Sequence, residues 1–453
     1  MTLPNYFLAD LPAEARLTPA LIGEACQTLK HNREVYLANR ATRDLARLLS
    51  AVAENWLQAD DPFRRRALEL GPAQLGFSRP TLARGLDAFF GQLTPAHLDA
   101  LLVQELGHAH RLDELCAASA EQEHRRAALA RGPEFLVHVA AGNLPNPALA
   151  SLVLGVLTRS AQFMKCATGA ALLPRLFAHS LYDADRKLGA CLELAEWPGG
   201  NADLEEALFR EADCVTATGA AETLAAIRRR VPDQARFLGY GHRLSFAFVA
   251  RENLHGFHAK KAAARAAADV TAWDQLGCLS PHVIYVEHGG SVTAEAFAGL
   301  LAGELERLEQ AEPRGALPAE QAAVIASRRG FYEVRAAHSE ETRLWSSRAS
   351  TAWTVVYETD PRFQASCLNR FVYVKGVNDL TQALQSADGV RGEISTVGLA
   401  VSDERARDLA TVLARWGVPR VCPLGQMQNP PLTWRHDGRP SLGDLVTWTD
   451  WET

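Results

Sequence analysis

The stretch Phe135-Leu-Val-His-Val-Ala-Ala-Gly-Asn-Leu-Pro-Asn-Pro147 decides which fold we expect for this chain. Its first seven residues are apolar except for His138, and a short apolar run that ends at a glycine predicts a buried strand. A proline-containing turn follows, and the apolar run that continues to residue 157 predicts a helix. A strand, a short turn and a helix form the unit of a parallel, doubly wound sheet, so we expect an α/β fold. We expect His138 to be a core histidine with satisfied hydrogen bonds.

The same alternation repeats downstream of this unit. Apolar runs predict strands at 162–166, 191–195, 213–217 and 235–239, with a helix after each of the first three. Residues 131–243 therefore form a predicted Rossmann-like cofactor-binding domain. Such sheets bind ligands at the carboxyl ends of their strands, and these ends carry Asn143, Lys165, Thr218 and Gly219.

A second alternation spans residues 244–420 and predicts a second doubly wound α/β lobe, the catalytic domain. Its strands are predicted at 244–249, 283–286, 354–357, 370–374 and 395–399, and its helices at 258–268, 292–308 and 403–416. Residues 1–130 space their apolar residues as helices do, which predicts a helical N-terminal region packed on the cofactor lobe. Residues 421–453 remain as a C-terminal segment.

Length and composition limit the class of protein. A chain of 453 residues is too long for one hydrophobic core, which agrees with two or three lobes. The formal charge of -6 argues against nucleic-acid binding, which needs a basic surface. The apolar runs are too short for a membrane span, the N terminus has no signal-peptide pattern, and no Cys or His cluster has zinc-site spacing. The eight cysteines are therefore expected to be reduced thiols in a cytoplasmic protein.

One cysteine stands in a different context from the other seven. It lies in Asp269-Val-Thr-Ala-Trp-Asp-Gln-Leu-Gly-Cys-Leu-Ser-Pro-His282, on a tight turn directly before a predicted strand. A thiol presented there can act as a nucleophile, so Cys278 is a candidate catalytic residue. The alternative is a buried loop cysteine. His282 follows Pro281 and begins a strand, so we interpret it as a structural histidine bonded to backbone.

The polar residues at the strand ends of the first lobe can be interpreted as ligand-binding residues or as ordinary structural residues. Asn143, fixed between restricted neighbours, can donate to an oxyanion, or it can be a turn or helix-cap residue. Lys165 can bind a phosphate or be a solvated charge. Thr218-Gly219 opens a predicted helix, whose free N–H groups favour phosphate, although a lone Thr-Gly is a weak signal.

Taken in order, these motifs resemble the acyl-CoA reductase family of bacterial bioluminescence systems, within the aldehyde dehydrogenase superfamily. The resemblance covers about residues 135–445 and is carried by residues 139–147, by residues 274–282 and by His436-Asp-Gly438. It implies an aldehyde-dehydrogenase-like fold with a cofactor-binding lobe and a catalytic lobe. It also implies that Cys278 is the acylated nucleophile and Asn143 the oxyanion-hole donor.

The resemblance implies cofactor contacts as well, and two departures from the superfamily bear on the reaction. Lys165 matches the lysine that contacts the adenosine ribose or its phosphate, and Gly219 and its neighbours match the loop that approaches the cofactor phosphates. Thr168 stands where NAD-preferring relatives often have a glutamate, which favours NADPH. Gly239-Tyr-Gly-His-Arg243 stands where thioester-hydrolysing members carry their general-base glutamate, which favours a reductase. His242 in this segment is a candidate proton donor.

The expected function is therefore NADPH-dependent reduction of an acyl-CoA or acyl-protein thioester, with a long fatty chain implied by the resemblance, through an acyl-Cys278 thioester. The alternatives are an acyltransferase that shares the acyl-cysteine step, a non-catalytic scaffold of the same fold, and the oxidative direction from aldehyde to acyl-CoA. The expected partners are an acyl-CoA or acyl-carrier substrate, an acyl-protein synthetase or acyltransferase that delivers the acyl group, and a second copy of the chain in a homo-oligomer. No metal, nucleic acid or membrane span is expected.

Overall fold

The computed structural model describes residues 3–12 and 14–452. The predicted N-terminal region and C-terminal segment include residues 1, 2, 13 and 453, which lie outside the described residues. The chain divides into two compact units. The first comprises the chain up to Leu75, Leu86–Gly241 and the chain from Pro431 onward, and the second comprises Gly76–Gly85 and His242–Pro430.

The N-terminal part of the chain is largely helical. Its helices are α1 (Pro19–Tyr36), α2 (Thr42–Leu57), α3 (Pro62–Leu75), α4 (Arg79–Phe90), α5 (Pro95–Leu106) and α6 (Ser119–Glu123). Helix α1 begins where Thr18 Oγ1 accepts a 3.2 Å hydrogen bond from the N–H of Leu21, and Pro19 occupies the first helical position. Helix α5 begins with the same arrangement at Thr94. A hydroxyl cap followed by proline thus sets both helix starts.

The rest of the first unit is built around a parallel sheet. Its elements are β1 (Arg126–Arg131), β2 (Phe135–Val139), α7 (Asn146–Leu157), β3 (Ala161–Cys166), α8 (Leu172–Ala184), α9 (Arg186–Gly189), β4 (Leu192–Glu196), α10 (Ala202–Phe209), β5 (Cys214–Thr218), α11 (Ala221–Arg230) and β6 (Arg236–Tyr240). The strands pair in the order β4-β3-β2-β5-β6, all in parallel. Phe135, Val137, Phe163 and Val215 are completely buried in its core. The α/β fold expected from this stretch is confirmed.

The second unit has a larger, mostly parallel sheet. Its elements are β7 (Leu244–Val249), α12 (Gly256–Thr271), β8 (Pro281–Glu287), α13 (Ala294–Ala311), α14 (Ala319–His338), β9 (Thr342–Ser346), β10 (Thr354–Glu358), β11 (Phe371–Val377), α15 (Leu380–Ser386), β12 (Ile394–Ala400), α16 (Asp403–Trp416) and β13 (Arg420–Pro423). The strand order is β13-β12-β7-β8-β11-β10-β9, and only the β9–β10 pair is antiparallel among these described strands. Strand β8, which follows Cys278, thus lies inside the sheet between β7 and β11.

Some elements of the second unit were not predicted. Helix α14 exposes Val324, Phe331 and Val334, so its apolar residues do not mark one buried face. Helix α15 has seven residues and β13 has four, and segments this short carry little periodicity. Both depend on packing against the sheet rather than on their own pattern.

The end of the N-terminal region is a strand rather than a helix. Strand β1 pairs antiparallel with β14 (Thr447–Glu452), with Ala128 opposite Asp450. The stretch Arg-Ala-Ala-Leu-Ala-Arg has alanines that favour a helix, and only its partner near the other end of the chain makes it a strand. Within the described residues, no helix combines the length and apolar character needed to cross a bilayer.

Candidate active site

Cys278 lies on a short loop of the second unit, residues 276–280, directly before β8. The hydroxyl of Ser245 in β7 donates a 2.7 Å hydrogen bond to the carbonyl oxygen of Cys278. The N–H of Ser280 donates to the carbonyl of Gly277 at 2.9 Å, which closes a tight turn around the cysteine. The cysteine is half-buried. The Cys278 loop is therefore a fixed turn at the start of a buried strand.

The chain enters the Cys278 loop through an unusual backbone. Trp273, Asp274 and Gln275 have φ angles of 50°, 51° and 65°, so three consecutive non-glycine residues are left-handed. We call residues 273–275 the first left-handed run. L-residues disfavour this conformation by roughly 1–2 kcal/mol each, so surrounding contacts must hold it. One contact is the indole of Trp273, which packs so closely on Gly85 that a β-carbon there would lie 2.0 Å from the ring.

The side chain of Gln275 closes the base of the Cys278 loop. Its Nε2 donates to the carbonyls of Pro281 and Phe371, each at 2.9 Å, and its Oε1 accepts from the N–H of Phe371 at 2.8 Å. Gln275 is completely buried. One amide group thus joins the loop to the first residues of both β8 and β11.

Polar contacts also hold the far side of the loop. Gln428 Nε2 donates to the hydroxyl of Ser280. The guanidinium of Arg420, at the start of β13, donates to the carbonyls of Gln426 and Met427 at 2.8 and 2.6 Å. Burial lowers the pKa of Arg420, and the charges of Cys422, Asp269 and Cys278 act in the opposite direction. A buried cation therefore lies within electrostatic reach of the Cys278 thiol.

His282 is a structural histidine, as predicted. Its Nδ1 accepts hydrogen bonds from the N–H of Ser366 at 3.0 Å and from its hydroxyl at 3.1 Å. Burial, with a smaller contribution from the charge of His242, lowers the pKa of His282 to about 4. It is therefore neutral near pH 7. His242 itself is exposed, and its role as a proton donor remains a prediction.

In the first unit, Asn143 lies between β2 and α7 and is exposed. The helix-cap alternative does not hold for it, because Pro145 is the N-cap of α7 and makes no side-chain cap bond. A small cleft opens at this edge of the sheet, lined by residues that include Ala140, Thr216 and Thr218. Of the four strand-end residues expected to contact a ligand, Thr218 lines this cleft.

Lys165 at the end of β3 is not a solvated charge. Only 5% of the residue is exposed, and its Nζ lies 6.0 Å from the centre of the Trp197 ring. Burial lowers the pKa of Lys165, and the carboxylates of Glu205 and Glu196 act in the opposite direction. The indole Nε1 of Trp197 is buried with no hydrogen-bond partner among the described residues. A buried cation beside an unsatisfied donor fits an anionic ligand at this strand end.

The other predicted cofactor residues follow the neighbouring strand ends. Thr168 is exposed after β3, and Thr218 and Gly219 are half-buried at the end of β5. Helix α11 begins two residues after Gly219, with Ala220 as its N-cap, so Gly219 does not itself open the helix. The N–H of Gly219 donates to the carbonyl of Tyr240 at 3.1 Å, so this donor already serves the sheet.

Tyr240, in the segment Gly239-Tyr-Gly-His-Arg243, packs against the C-terminal motif His436-Asp-Gly438. The ring of Tyr240 stacks on His436 with centroids 4.5 Å apart, and the guanidinium of Arg439 lies 4.6 Å from the centre of the Tyr240 ring. Trp434 extends the stack at 4.7 Å from His436. Residue Asp437 of the motif is left-handed, with φ of 53°. In the first unit, the Trp-Arg-His-Asp-Gly segment thus packs against Tyr240.

Comparison with models of protein families shows which family this chain belongs to. The model of the family described as acyl-CoA reductase (LuxC) matches residues 37–448. The chain belongs to the acyl-CoA reductase family. It is similar to the long-chain acyl-protein thioester reductase of Aliivibrio fischeri, with 23% identity over 429 residues, or 91% of this chain and 83% of that protein.

The fold of this acyl-CoA reductase family member is that of the aldehyde dehydrogenases. An NADP-dependent glyceraldehyde-3-phosphate dehydrogenase from Bacillus halodurans, solved with NADP, superposes with a TM-score of 0.70 at 16% identity, covering 96% of this chain and 92% of that one. The bifunctional proline utilization A protein superposes with a TM-score of 0.72 at 16% identity, covering 97% of this chain. The chain spans 45% of that bifunctional protein. The predicted fold class is confirmed.

Sequence reasoning did not identify several residues that shape the site of this acyl-CoA reductase family member. Ser245 and Gln275 lay in recognised segments but have no motif of their own, and their roles depend on contacts across the sheet. Arg370 was predicted only as the first residue of a strand, and its ion pair with Asp274 was not predicted. Among the described residues, no group of three or more His, Cys, Asp or Glu side chains is arranged to hold a metal ion.

Proposed function

We propose that this chain reduces a long-chain acyl thioester, carried on CoA or on a protein, to the aldehyde with NADPH, through an acyl-Cys278 intermediate. The observation that supports it most is the fixed loop that presents Cys278 before β8, in a chain that the acyl-CoA reductase family model matches over residues 37–448. The relative from Aliivibrio fischeri is named a long-chain acyl-protein thioester reductase, which supports the choice of substrate.

In the proposed mechanism, the Cys278 thiolate attacks the carbonyl carbon of the substrate thioester. The tetrahedral intermediate expels the CoA or carrier thiolate, which takes up a proton, and leaves the acyl group on Cys278. Asn143 and the N–H of Cys278 donate to the oxyanion, a contribution that is typically worth about 3–4 kcal/mol for one such donor.

Reduction of acyl-Cys278 to a hemithioacetal needs a hydride, which NADPH would supply if held by the residues of the first unit. The carbon–sulfur bond then breaks, which releases the aldehyde and restores the Cys278 thiolate. We assign Lys165 and Thr168 to the adenosine ribose and its 2′-phosphate, and Thr218 and Gly219 to the turn beside the diphosphate. The buried charge of Lys165 next to Trp197 supports the phosphate, and a hydroxyl at Thr168 does not repel it.

The direction of the reaction is proposed from the absence of a general base. The segment Gly239-Tyr-Gly-His-Arg243 contains no carboxylate to activate water, so the acyl-enzyme persists until hydride reaches it. His242 in that segment is the proposed proton donor to the oxygen of the hemithioacetal as hydride adds, and it takes the proton back when the carbon–sulfur bond breaks. An acyl-protein synthetase or acyltransferase partner would deliver the acyl group where the substrate is a protein thioester.

The test is to incubate the purified protein with tetradecanoyl-CoA and NADPH and to measure tetradecanal by mass spectrometry, with Cys278→Ser as the control. Tetradecanal from the wild type alone would support the proposal. Transfer of the acyl group to an added thiol or amine, without consumption of NADPH, would instead identify an acyltransferase. Activity that appears only from aldehyde, CoA and NADP⁺ would assign the oxidative direction.

A further inference from the structure

Two left-handed runs contact each other, and the first leads directly into the Cys278 loop. The first is residues 273–275, and the second is Leu368, Asn369 and Arg370, with φ angles of 62°, 57° and 64°. Together they account for six of the nine non-glycine residues with positive φ in the described chain. Such residues persist only where other contacts over-determine the backbone, and they concentrate at functional sites.

The two left-handed runs are joined by their side chains. Arg370 Nε donates a 2.9 Å hydrogen bond to Asp274 Oδ1, and its Nη2 lies 2.7 Å from the same oxygen in an ion pair. Both residues are buried, Arg370 completely and Asp274 with 3% exposed. The Gln275 bonds to Phe371 add a second connection directly beside the ion pair. These contacts fix the two runs to each other.

The ion pair is also fixed from a third side. Arg370 Nη1 donates to Glu309 Oε2 at 2.8 Å and to the carbonyl of Glu312 at 3.0 Å. Asp274 Oδ2 accepts from the N–H of Gly315 at 3.0 Å. The last turn of α13 and the residues that follow it therefore hold both partners, and each charged group has contacts on several sides.

We propose that Asp274 and Arg370 are positioning residues for the Cys278 nucleophile. The ion pair keeps residues 273–275 left-handed where they lead into the Cys278 loop, and Gln275 closes the base of that loop. Together, the ion pair and Gln275 set the direction in which the Cys278 thiol and N–H point. The inference rests on the proposed role of Cys278. A buried ion pair contributes little net stability compared with apolar residues of similar volume, so positioning accounts for its place here better than stability does.

The test compares Arg370→Lys with Arg329→Lys. Lysine keeps the charge but cannot form the forked contact with Asp274. Arg329 is the control because it is also buried in the second unit and its hydrogen bonds go to Thr354, Ser347, Ser350 and Trp353, not to Asp274 or to residues 276–280. Asp274→Asn is the second variant, in case Arg370→Lys does not fold.

We expect both Asp274→Asn and Arg370→Lys to acylate Cys278 from tetradecanoyl-CoA at least tenfold more slowly at saturation, with half-saturating concentrations within twofold of wild type. The control is expected to lose thermal stability and to keep its acylation rate within twofold. Wild-type rates in both test variants, or an equal loss in the control, would overturn the proposal.

A second readout separates this inference from the proposed function. Alkylation of Cys278 by iodoacetamide, followed by peptide mass spectrometry, needs no acyl chemistry. We expect alkylation at least fivefold slower in the two test variants than in wild type and control, because a relaxed loop withdraws the thiol. If wild type forms no acyl adduct, the proposed function fails, and the alkylation rates still decide the positioning role: equal rates in all four proteins would overturn it.

Discussion

Ser245 holds the carbonyl oxygen of Cys278 with a 2.7 Å hydrogen bond from its hydroxyl. The same hydroxyl oxygen accepts from the N–H of Thr396 in β12 at 3.1 Å. Because Ser245 lies in β7, between β8 and β12, one buried hydroxyl links the Cys278 loop to the middle of the sheet. The cysteine is thus fixed by the fold itself rather than by the loop alone.

We expect Ser245→Ala to weaken both the fold and the site. The variant leaves the Thr396 N–H and one bond of the Cys278 carbonyl unsatisfied, which costs about 1–3 kcal/mol for a buried group. Urea denaturation measures the loss, and intact mass spectrometry measures the slower acylation of Cys278. Thr411→Ala is the control, since Thr411 is exposed and bonds only to its own helix. An unchanged midpoint and acylation rate in Ser245→Ala would contradict this role.

Asn143→Ala tests the oxyanion donor. We expect a fall in kcat of roughly 10²–10³-fold, the effect of removing one such donor elsewhere. Because Asn143 is exposed, the melting temperature should stay close to that of wild type. Asn378→Ala, another exposed position, serves as the control. A tenfold or smaller loss of kcat would remove Asn143 from the proposed mechanism.

Lys165→Met separates cofactor binding from stability. The variant removes a buried cation that forms no ion pair with any described residue, so we expect equal or higher thermal stability. The Kd for NADPH, measured by nicotinamide fluorescence, should rise about 10–100-fold, because a charge-assisted contact is worth about 1.5–3 kcal/mol. Lys187→Met, on the surface, should leave the Kd unchanged. Unchanged NADPH binding in Lys165→Met would place the phosphate elsewhere.

Because the imidazole of His138 is buried, we expect the free energy of unfolding to depend on pH. It is buried between Gln162 Oε1, 3.0 Å from its Nε2, and the Thr216 hydroxyl, 2.7 Å from its Nδ1. Burial lowers the pKa of His138 to about 4, whereas in the unfolded chain it is near its usual value of about 6.5. The unfolded state therefore binds the proton first, and stability falls by up to about 3 kcal/mol as pH drops from about 6.5 to about 4.

Urea denaturation of wild type and His138→Gln between pH 4.5 and pH 7.5 checks that pH dependence. The neutral amide does not titrate, so the variant should lose less stability on acidification than wild type does. Parallel curves for the two proteins would show that His138 does not titrate between its folded and unfolded states as argued.

Features that depend on the local order of apolar and polar residues could be predicted from the sequence. Strands β2 and β8 are apolar runs, and Cys278 stands on a turn that its neighbours already indicate. Strand β1 could not be predicted, because its alanines favour a helix and its partner β14 lies near the other end of the chain.

The side-chain contacts around Cys278 could not be predicted from the sequence either. Arg370 and Asp274 are 96 residues apart, and nothing in either local segment indicates that the two meet. A left-handed backbone at Trp273, Asp274 and Gln275 also contradicts the preference of each residue, so no propensity rule would predict it. These are the places where tertiary contacts override local preference.

Acylation of Cys278 is measured most directly by intact mass spectrometry of the protein after incubation with tetradecanoyl-CoA alone, with Cys278→Ala beside it. We expect one tetradecanoyl adduct on wild type, none on the variant, and loss of the adduct with release of tetradecanal when NADPH is added. An adduct of equal yield on Cys278→Ala, or a wild-type adduct that NADPH does not discharge, would contradict a reductase that works through acyl-Cys278.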